Sequence, residues 1–188
     1  MDNILFVTGN RNKVAEATQI LGYPLEIADI DLDEIQSLDI NEVVMKKAET
    51  AYAILKKPLI VEDVGVFVNA WNGFPGPLIK FIHKSGNDSY ELLLRMLDIE
   101  SDKTAIVKAV IGYHDGKDIH ITEGSFIGTF VDKKGQNGWG FDAYMIPAGY
   151  DKTFGELGDD VKNRISHRAK AFRNLKLFLD SQGNKNEE

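Results

Sequence analysis

An apolar run, Ile4-Leu5-Phe6-Val7, stops at Thr8-Gly9-Asn10, and a helical pattern begins directly behind it. Val14, Ala17 and Leu21 recur at i, i+3 and i+7, the spacing of one apolar helix face. A buried strand thus feeds a short polar turn that sits on a helix N-terminus, a βα unit that points to an α/β fold. Such a turn joins backbone N–H groups to the positive end of the helix dipole, which favours an anion. Thr8 and Asn10 add side-chain donors, and Lys13 adds a mobile charge. G-x-x-x-x-G-K-[ST] is absent, so this is no P-loop. An ordinary turn followed by a surface lysine stays open as the plain alternative.

The pattern continues with alternating elements. Gly22 and Pro24 stop the first helix, and Leu25 to Ala28 reads as a second strand. Asp39 and Glu42 have the D-x-x-E spacing of a capping box, opening a helix to about Leu55. Pro58 to Val61 is an apolar strand expected to end on Glu62-Asp63, with extended structure resuming at Val66-Phe67-Val68. Asp88 and Glu91 repeat the D-x-x-E signal before a further helix. Thr104 to Tyr113 and Ile119 to Phe130 are long extended runs joined through Asp115-Gly116, a strong hairpin signal. A glycine-rich stretch from Lys134 to Gly140 leads to Phe141–Ile146, and a last helix is expected over Ser166 to Leu179. Early βα alternation followed by a long hairpin favours a mixed sheet over a purely parallel one.

Length and composition bound the rest. A chain of 188 residues buries roughly 70% of its unfolded surface, so it needs no disulfide or metal to fold. One domain over residues 1–180 is expected, with a frayed tail at 181–188. Cysteine is absent, which excludes thiolate metal sites and cysteine nucleophiles and fits a reducing, cytoplasmic setting. The N-terminal apolar run is too short for a signal peptide, and no stretch approaches a membrane span. A net charge of −7 argues against a nucleic-acid polymer as partner. A polyanionic small molecule remains possible where lysines converge and a divalent cation accompanies it.

Glu62-Asp63 and the cluster Asp31, Asp33 and Glu34 could hold Mg²⁺, or one of them could deprotonate an attacking water; solvated turn acids are the alternative. Lys47, Lys80, Lys162 and Arg168 are cations from separate segments, as a triphosphate requires, although each alone reads as a surface residue. Gly138-Trp139-Gly140-Phe141-Asp142 could stack a purine and accept from its edge, or simply plug the core. Of the histidines, His114 and His120 flank the hairpin turn and are expected to be exposed, while His167 opens the last helix beside Arg168. The spacing disfavours a Ser166–His167 nucleophile pair, because adjacent helical residues point apart.

Taken together, Thr8-Gly9-Asn10 with Lys13, Val61-Glu62-Asp63, Gly73-Phe74-Pro75-Gly76-Pro77, Gly140-Phe141-Asp142 and Lys162-Asn163 followed by Ser166-His167-Arg168 resemble the inosine triphosphate pyrophosphatase family, in family order over nearly the whole chain. The resemblance implies an elongated mixed sheet with flanking helices, forming two lobes around a central cleft. It also implies a homodimer, Mg²⁺ dependence, and cleavage of deaminated purine nucleoside triphosphates to the monophosphate and pyrophosphate. Carried over by motif, Thr8, Gly9, Asn10, Arg11, Asn12 and Lys13 hold phosphates, and Lys47 and Lys80 neutralise them. Glu34 and Asp63, with Glu62 beside them, serve the metal, and Asp63 is the base for water. Trp139, Gly140, Phe141 and Asp142 frame the purine, and Lys162, His167 and Arg168 complete its recognition. Val64 stands where the family usually has Ser or Thr, Gly155 replaces a usual Ala, and the order of Trp139 and Phe141 about Gly140 departs from the commoner one. A pyrophosphatase of different or broad nucleotide specificity, and a binding module without catalysis, are the competing readings.

Overall fold

In the computed structural model, which describes residues 4–22, 24–84 and 89–183, the opening βα unit forms where the spacing places it. Strand β1 (Leu5–Val7) is buried along its length, and α1 (Arg11–Leu21) buries Val14, Ala17 and Leu21. Strand β2 (Glu26–Ala28) and the long β3 (Leu59–Val68) flank β1 in parallel, with α2 (Ile40–Leu55) crossing between them. Asp39 caps α2 by accepting from Asn41 N–H. Glu42 does not complete the box, because it accepts instead from the Ser37 hydroxyl at 2.7 Å.

Beyond β3 the pairing turns antiparallel. The short β4 (Pro75–Gly76) lies on the far half of β3, and α3 (Ile79–His83) and α4 (Ser89–Leu97) follow. Asp88, expected to open α4, lies outside the described residues. The hairpin of β5 (Thr104–His114) and β6 (Ile119–Phe130) carries the sheet on to β7 (Met145–Pro147). The sheet has seven strands in the order β2-β1-β3-β5-β6-β7, with β4 added on β3, so the expected mixed sheet is present. The chain ends in α5 (Phe154–Leu157), α6 (Asp159–Ile165) and α7 (His167–Gly183).

Strand alternation distributes the core. Phe6 and Ile60 face α1 and α7, packing with Ala17, Leu21, Phe172 and Leu175. Leu5, Val7, Leu59 and Val61 face α2, against Val44, Ala48 and Ala51. Covered on both sides, these strands read in sequence as unbroken apolar runs. At the opposite end of β3 and β5 a separate core joins Val66, Val68, Leu93, Leu97, Phe126, Phe130 and Phe154. Val64 packs against this core and against the α1–α7 core, so it sits between the two.

Several expectations change. Glu62-Asp63 does not end a strand: β3 runs unbroken through both, because all its residues from Leu59 to Val68 pair with β5. Phe141–Ile146, to which the spacing assigns no element, forms a 3₁₀ turn at Asp142–Tyr144 followed by β7. His114 is buried, not exposed, its ring stacked on Tyr52 at 3.8 Å and accepting from Gly116 N–H. The last helix begins at His167, since Ser166 is extended, and it continues to Gly183; the rest of the expected tail, 184–188, lies outside the described residues.

Helix α7 can lie this close to β6 only because residue 124 is glycine. A Cβ there would stand 2.4 Å from both Ala171 N and His167 O, which are backbone atoms of α7. Gly124→Ala is therefore expected to cost about 1–3 kcal/mol through overpacking. Thermal unfolding reads this as a clear fall in Tm, and an unchanged Tm would show that α7 is not held at this distance.

Candidate active site

The cleft arises from unequal strand lengths. β1 pairs with β3 only as far as Phe6↔Ile60, and β4 takes up the same edge only at Val66↔Gly76. Among the described residues, the intervening stretch of β3 has no strand neighbour on that edge. Glu62, Asp63 and Val64 occupy this gap, at the carboxyl ends of the parallel strands where α/β sheets commonly bind ligands. The β1–α1 turn, the loop after β2, α3, the β6–β7 loop and the α6–α7 junction close around it, leaving a cleft of about 580 Å³.

Adjacent residues on a strand point to opposite faces, and the two acids divide accordingly. Glu62 turns toward α1 and α7. Its Oε1 accepts from Arg168 Nε at 2.7 Å, and its Oε2 lies 3.3 Å from the Lys13 ammonium, an ion pair without hydrogen-bond alignment. Arg168, only 2% exposed, also donates through Nη1 to Glu16 at 2.6 Å. Lys162 bridges Glu16 at 2.7 Å and Asp142 at 2.6 Å. The Trp139 indole N–H closes the circuit on Glu16 at 2.9 Å, and its ring lies near the Lys162 and Arg168 cations. One connected ionic system thus runs from Lys13 to the aromatic loop.

Burial works to raise the Glu62 and Glu16 carboxyls, but Arg168 acts against it, joined by Lys13 at Glu62 and by Lys162 at Glu16. Both stay below the usual carboxylate range. At Asp142 burial prevails over Lys162, and the carboxyl is raised. His167 is pushed well below its ordinary value by burial and by the surrounding Arg168, Lys162, Lys13 and Lys170, so the imidazole is neutral. Its ring lies 5.7 Å from Phe126 and from Phe141, and its buried Nδ1 has no partner among the described residues.

Asp63 turns the other way. Its Oδ1 accepts from Val64 N–H at 2.9 Å, so the backbone orients the carboxylate although residue 64 offers no hydroxyl. Its Oδ2 is buried without a partner among the described residues. Glu34, which lines the same cleft, is gripped by Lys47 of α2 and Lys80 of α3. A hard cation suits this donor set: Asp63 offers an unsatisfied oxygen, and Mg²⁺ typically takes one or two carboxylates and completes its shell with water and phosphate. Among the described residues no group of three acids or histidines is already gathered for one. Glu62 fits less well, since both its oxygens face cations.

Most residues named from the sequence come together here. Thr8, Gly9, Asn10, Lys13, Glu34, Lys47, Asp63 and Lys80 all line the cleft, together with Trp139 to Asp142, Lys162, His167 and Arg168. Arg11 and Asn12 are exposed on α1 and do not line the cleft. The β1–α1 turn is also less open than a bare helix terminus. Asn10 Oδ1 already accepts from Asn12 and Lys13 N–H, leaving the amide nitrogen to donate to an incoming anion. At the aromatic loop, Gly138 (φ 76°) lets Asp142 fold back to accept from Trp139 N–H at 2.7 Å; a Cβ would stand 2.3 Å from that carboxylate. Glu16 belongs to none of the sequence motifs, although it lies one helical turn from Lys13 on the same face. Tyr90, His83 and Lys84 also line the cleft, and nothing in their spacing marks them.

The Ham1 family model matches residues 4–178. An inosine triphosphate pyrophosphatase of Schizosaccharomyces pombe is 40% identical, the match covering 98% of each chain. A dITP/XTP pyrophosphatase of Korarchaeum cryptofilum is 35% identical over 94% of this chain and 95% of its own. The Staphylococcus aureus Ham1 protein superposes with a TM-score of 0.83 at 28% identity, over 96% of this chain and 100% of its own.

Glu62→Gln should destabilise the protein by about 3–5 kcal/mol at neutral pH, because it removes one of the two carboxylates that neutralise the buried Arg168 and the anion that faces Lys13. A depressed carboxyl stabilises above its unfolded pKa and loses that contribution as pH falls through its folded one. The gap between variant and wild type in denaturant unfolding should therefore shrink below about pH 4. A gap independent of pH would show that Glu62 is not charged in the folded protein.

Proposed function

The chain belongs to the Ham1 family, and from that premise and the cleft we propose that it hydrolyses deaminated purine nucleoside triphosphates (ITP, dITP and XTP) to the nucleoside monophosphate and pyrophosphate. The observation that carries the reading is the unpartnered Asp63 Oδ2, which shares one cleft with Lys13, Lys47, Lys80 and an aromatic loop. The names of the matched relatives supply the substrate class.

In this reading the triphosphate lies along Asn10, Lys13, Lys47 and Lys80, whose charges neutralise it. Asp63 accepts the proton of the attacking water at Oδ2, while Val64 N–H holds Oδ1 and fixes the carboxylate plane. Asp63 and Glu34 would hold Mg²⁺ with the phosphates, and the ion would supply charge neutralisation at phosphorus. The purine sits by Trp139 to Asp142, where backbone N–H groups, the neutral His167 and Arg168 are the candidate donors to O6. Adenine carries an amine at that position, so donors would meet donors, costing roughly 1–3 kcal/mol for each group left unpaired. Guanine shares O6 and would have to be refused at its N2 amine.

A homodimer in a cytoplasmic setting belongs to the same reading. Ile106 and Ile127 are register partners, 38% and 53% exposed on an uncovered face of the β5–β6 hairpin, a surface suited to a second copy. No helix among the described residues is long and apolar enough to cross a membrane.

Pyrophosphate release should be strong from ITP, XTP and dITP, weak from ATP, GTP, dUTP and dTTP, and abolished by EDTA; equal rates across the panel would contradict the substrate class. Asp63→Asn should lower kcat by about 10²–10⁴-fold with ITP still bound, whereas Lys13→Ala should chiefly raise KM. The reverse pattern would exchange the two roles. Sedimentation should give a dimer that Ile106→Asp with Ile127→Asp converts to monomer; a wild-type monomer would remove this part of the reading.

A further inference from the structure

Glu34 is an unusual tenant of the cleft. It lies on the loop between β2 and α2, with a side chain 26% exposed, and both its oxygens are taken by ammonium groups. Lys47 reaches Oε1 from α2, and Lys80 reaches Oε2 from α3. Among the described residues α2 and α3 make no ion pair with each other, so Glu34 alone joins the two lysines. Asp63, the acid with the unpartnered oxygen, lines the same cleft, yet among the described residues no carboxylate set for a cation is assembled.

We propose that Glu34 is a built-in stand-in for phosphate: it holds Lys47 and Lys80 in place before substrate binds and must be displaced when a triphosphate arrives. A carboxylate and a phosphate present similar oxygens to an ammonium group, so the two anions compete for the same donors. The exchange has two consequences. The lysines are already gathered, so the incoming polyanion does not have to order them. The released Glu34 becomes available to a divalent cation that travels with the nucleotide. Cation binding is thereby coupled to nucleotide binding, and a metal-free polyanion is penalised because nothing then receives the displaced carboxylate. The apparent affinity of such an anion is reduced by the fraction of molecules in which Glu34 occupies the lysines.

This inference rests on the triphosphate reading above, but its test needs neither a nucleobase nor turnover. The probe is inorganic tripolyphosphate, titrated calorimetrically into the full chain in EDTA. Glu34→Gln keeps the shape of the side chain and weakens its hold on both lysines, so it should bind the probe about tenfold tighter than wild type. Asp33→Asn removes the same charge one residue away, from an exposed position, and should stay within about twofold of wild type. Lys47→Ala should weaken binding more in the Glu34→Gln background than in wild type, because only there does the lysine meet phosphate without first breaking an ion pair. Equal tightening by Glu34→Gln and Asp33→Asn would reduce the effect to net charge and overturn the proposal. No tightening by Glu34→Gln would overturn it as well. If ITP proved not to be a substrate while Glu34→Gln still tightened the probe selectively, the exchange would stand and the substrate class would fall.

Discussion

Arg168, buried between Glu62 and Glu16, is the interaction from which the rest of the site follows. It joins α7 to the middle of β3 and to α1. Desolvating a guanidinium and two carboxylates is costly, and a network of this kind is a poor source of stability compared with apolar packing. What it supplies is position. Lys13 is held from the Glu62 end, while Lys162, Asp142 and Trp139 are held from the Glu16 end. The part of the cleft that would take phosphates and the part that would take a base therefore share one rigid set of salt bridges.

The location of the cleft has a simpler cause. A ten-residue strand is paired on one edge by two short ones, and the interval between them exposes β3 at Glu62, Asp63 and Val64. The same alternation that sends Ile60 to one core and Val61 to another sends Glu62 to the ionic network and leaves Asp63 facing the lysine side. One acid is neutralised and structural, and its neighbour keeps an oxygen without a partner among the described residues. Neither role could be exchanged without shifting the register of β3 by a residue.

Much of this is legible in the chain itself. The βα unit, the D-x-x-E helix start and the Asp-Gly hairpin are local signals, and each element forms within a few residues of its expected place. The site motifs are legible because they are contiguous short strings. The interruption expected at Glu62-Asp63 is wrong for a physical reason: charged residues look like a strand end until a buried arginine and a backbone N–H are known to receive them. His114 looks exposed beside a turn because nothing local reveals that Tyr52, distant in sequence, stacks on it. Glu16 escapes a reading by motif because its ion-pair partners come from α6 and α7, and long-range ion pairs leave no periodic trace.

If the buried network sets base recognition as well as architecture, the ratio of kcat/KM for ITP over ATP will differ between wild type and Arg168→Lys. Lysine keeps the charge but cannot reach Glu62 and Glu16 together through a planar fork. The ratio should fall by about 10- to 100-fold while the protein remains folded. A folded Arg168→Lys enzyme with an unchanged ratio would contradict the account.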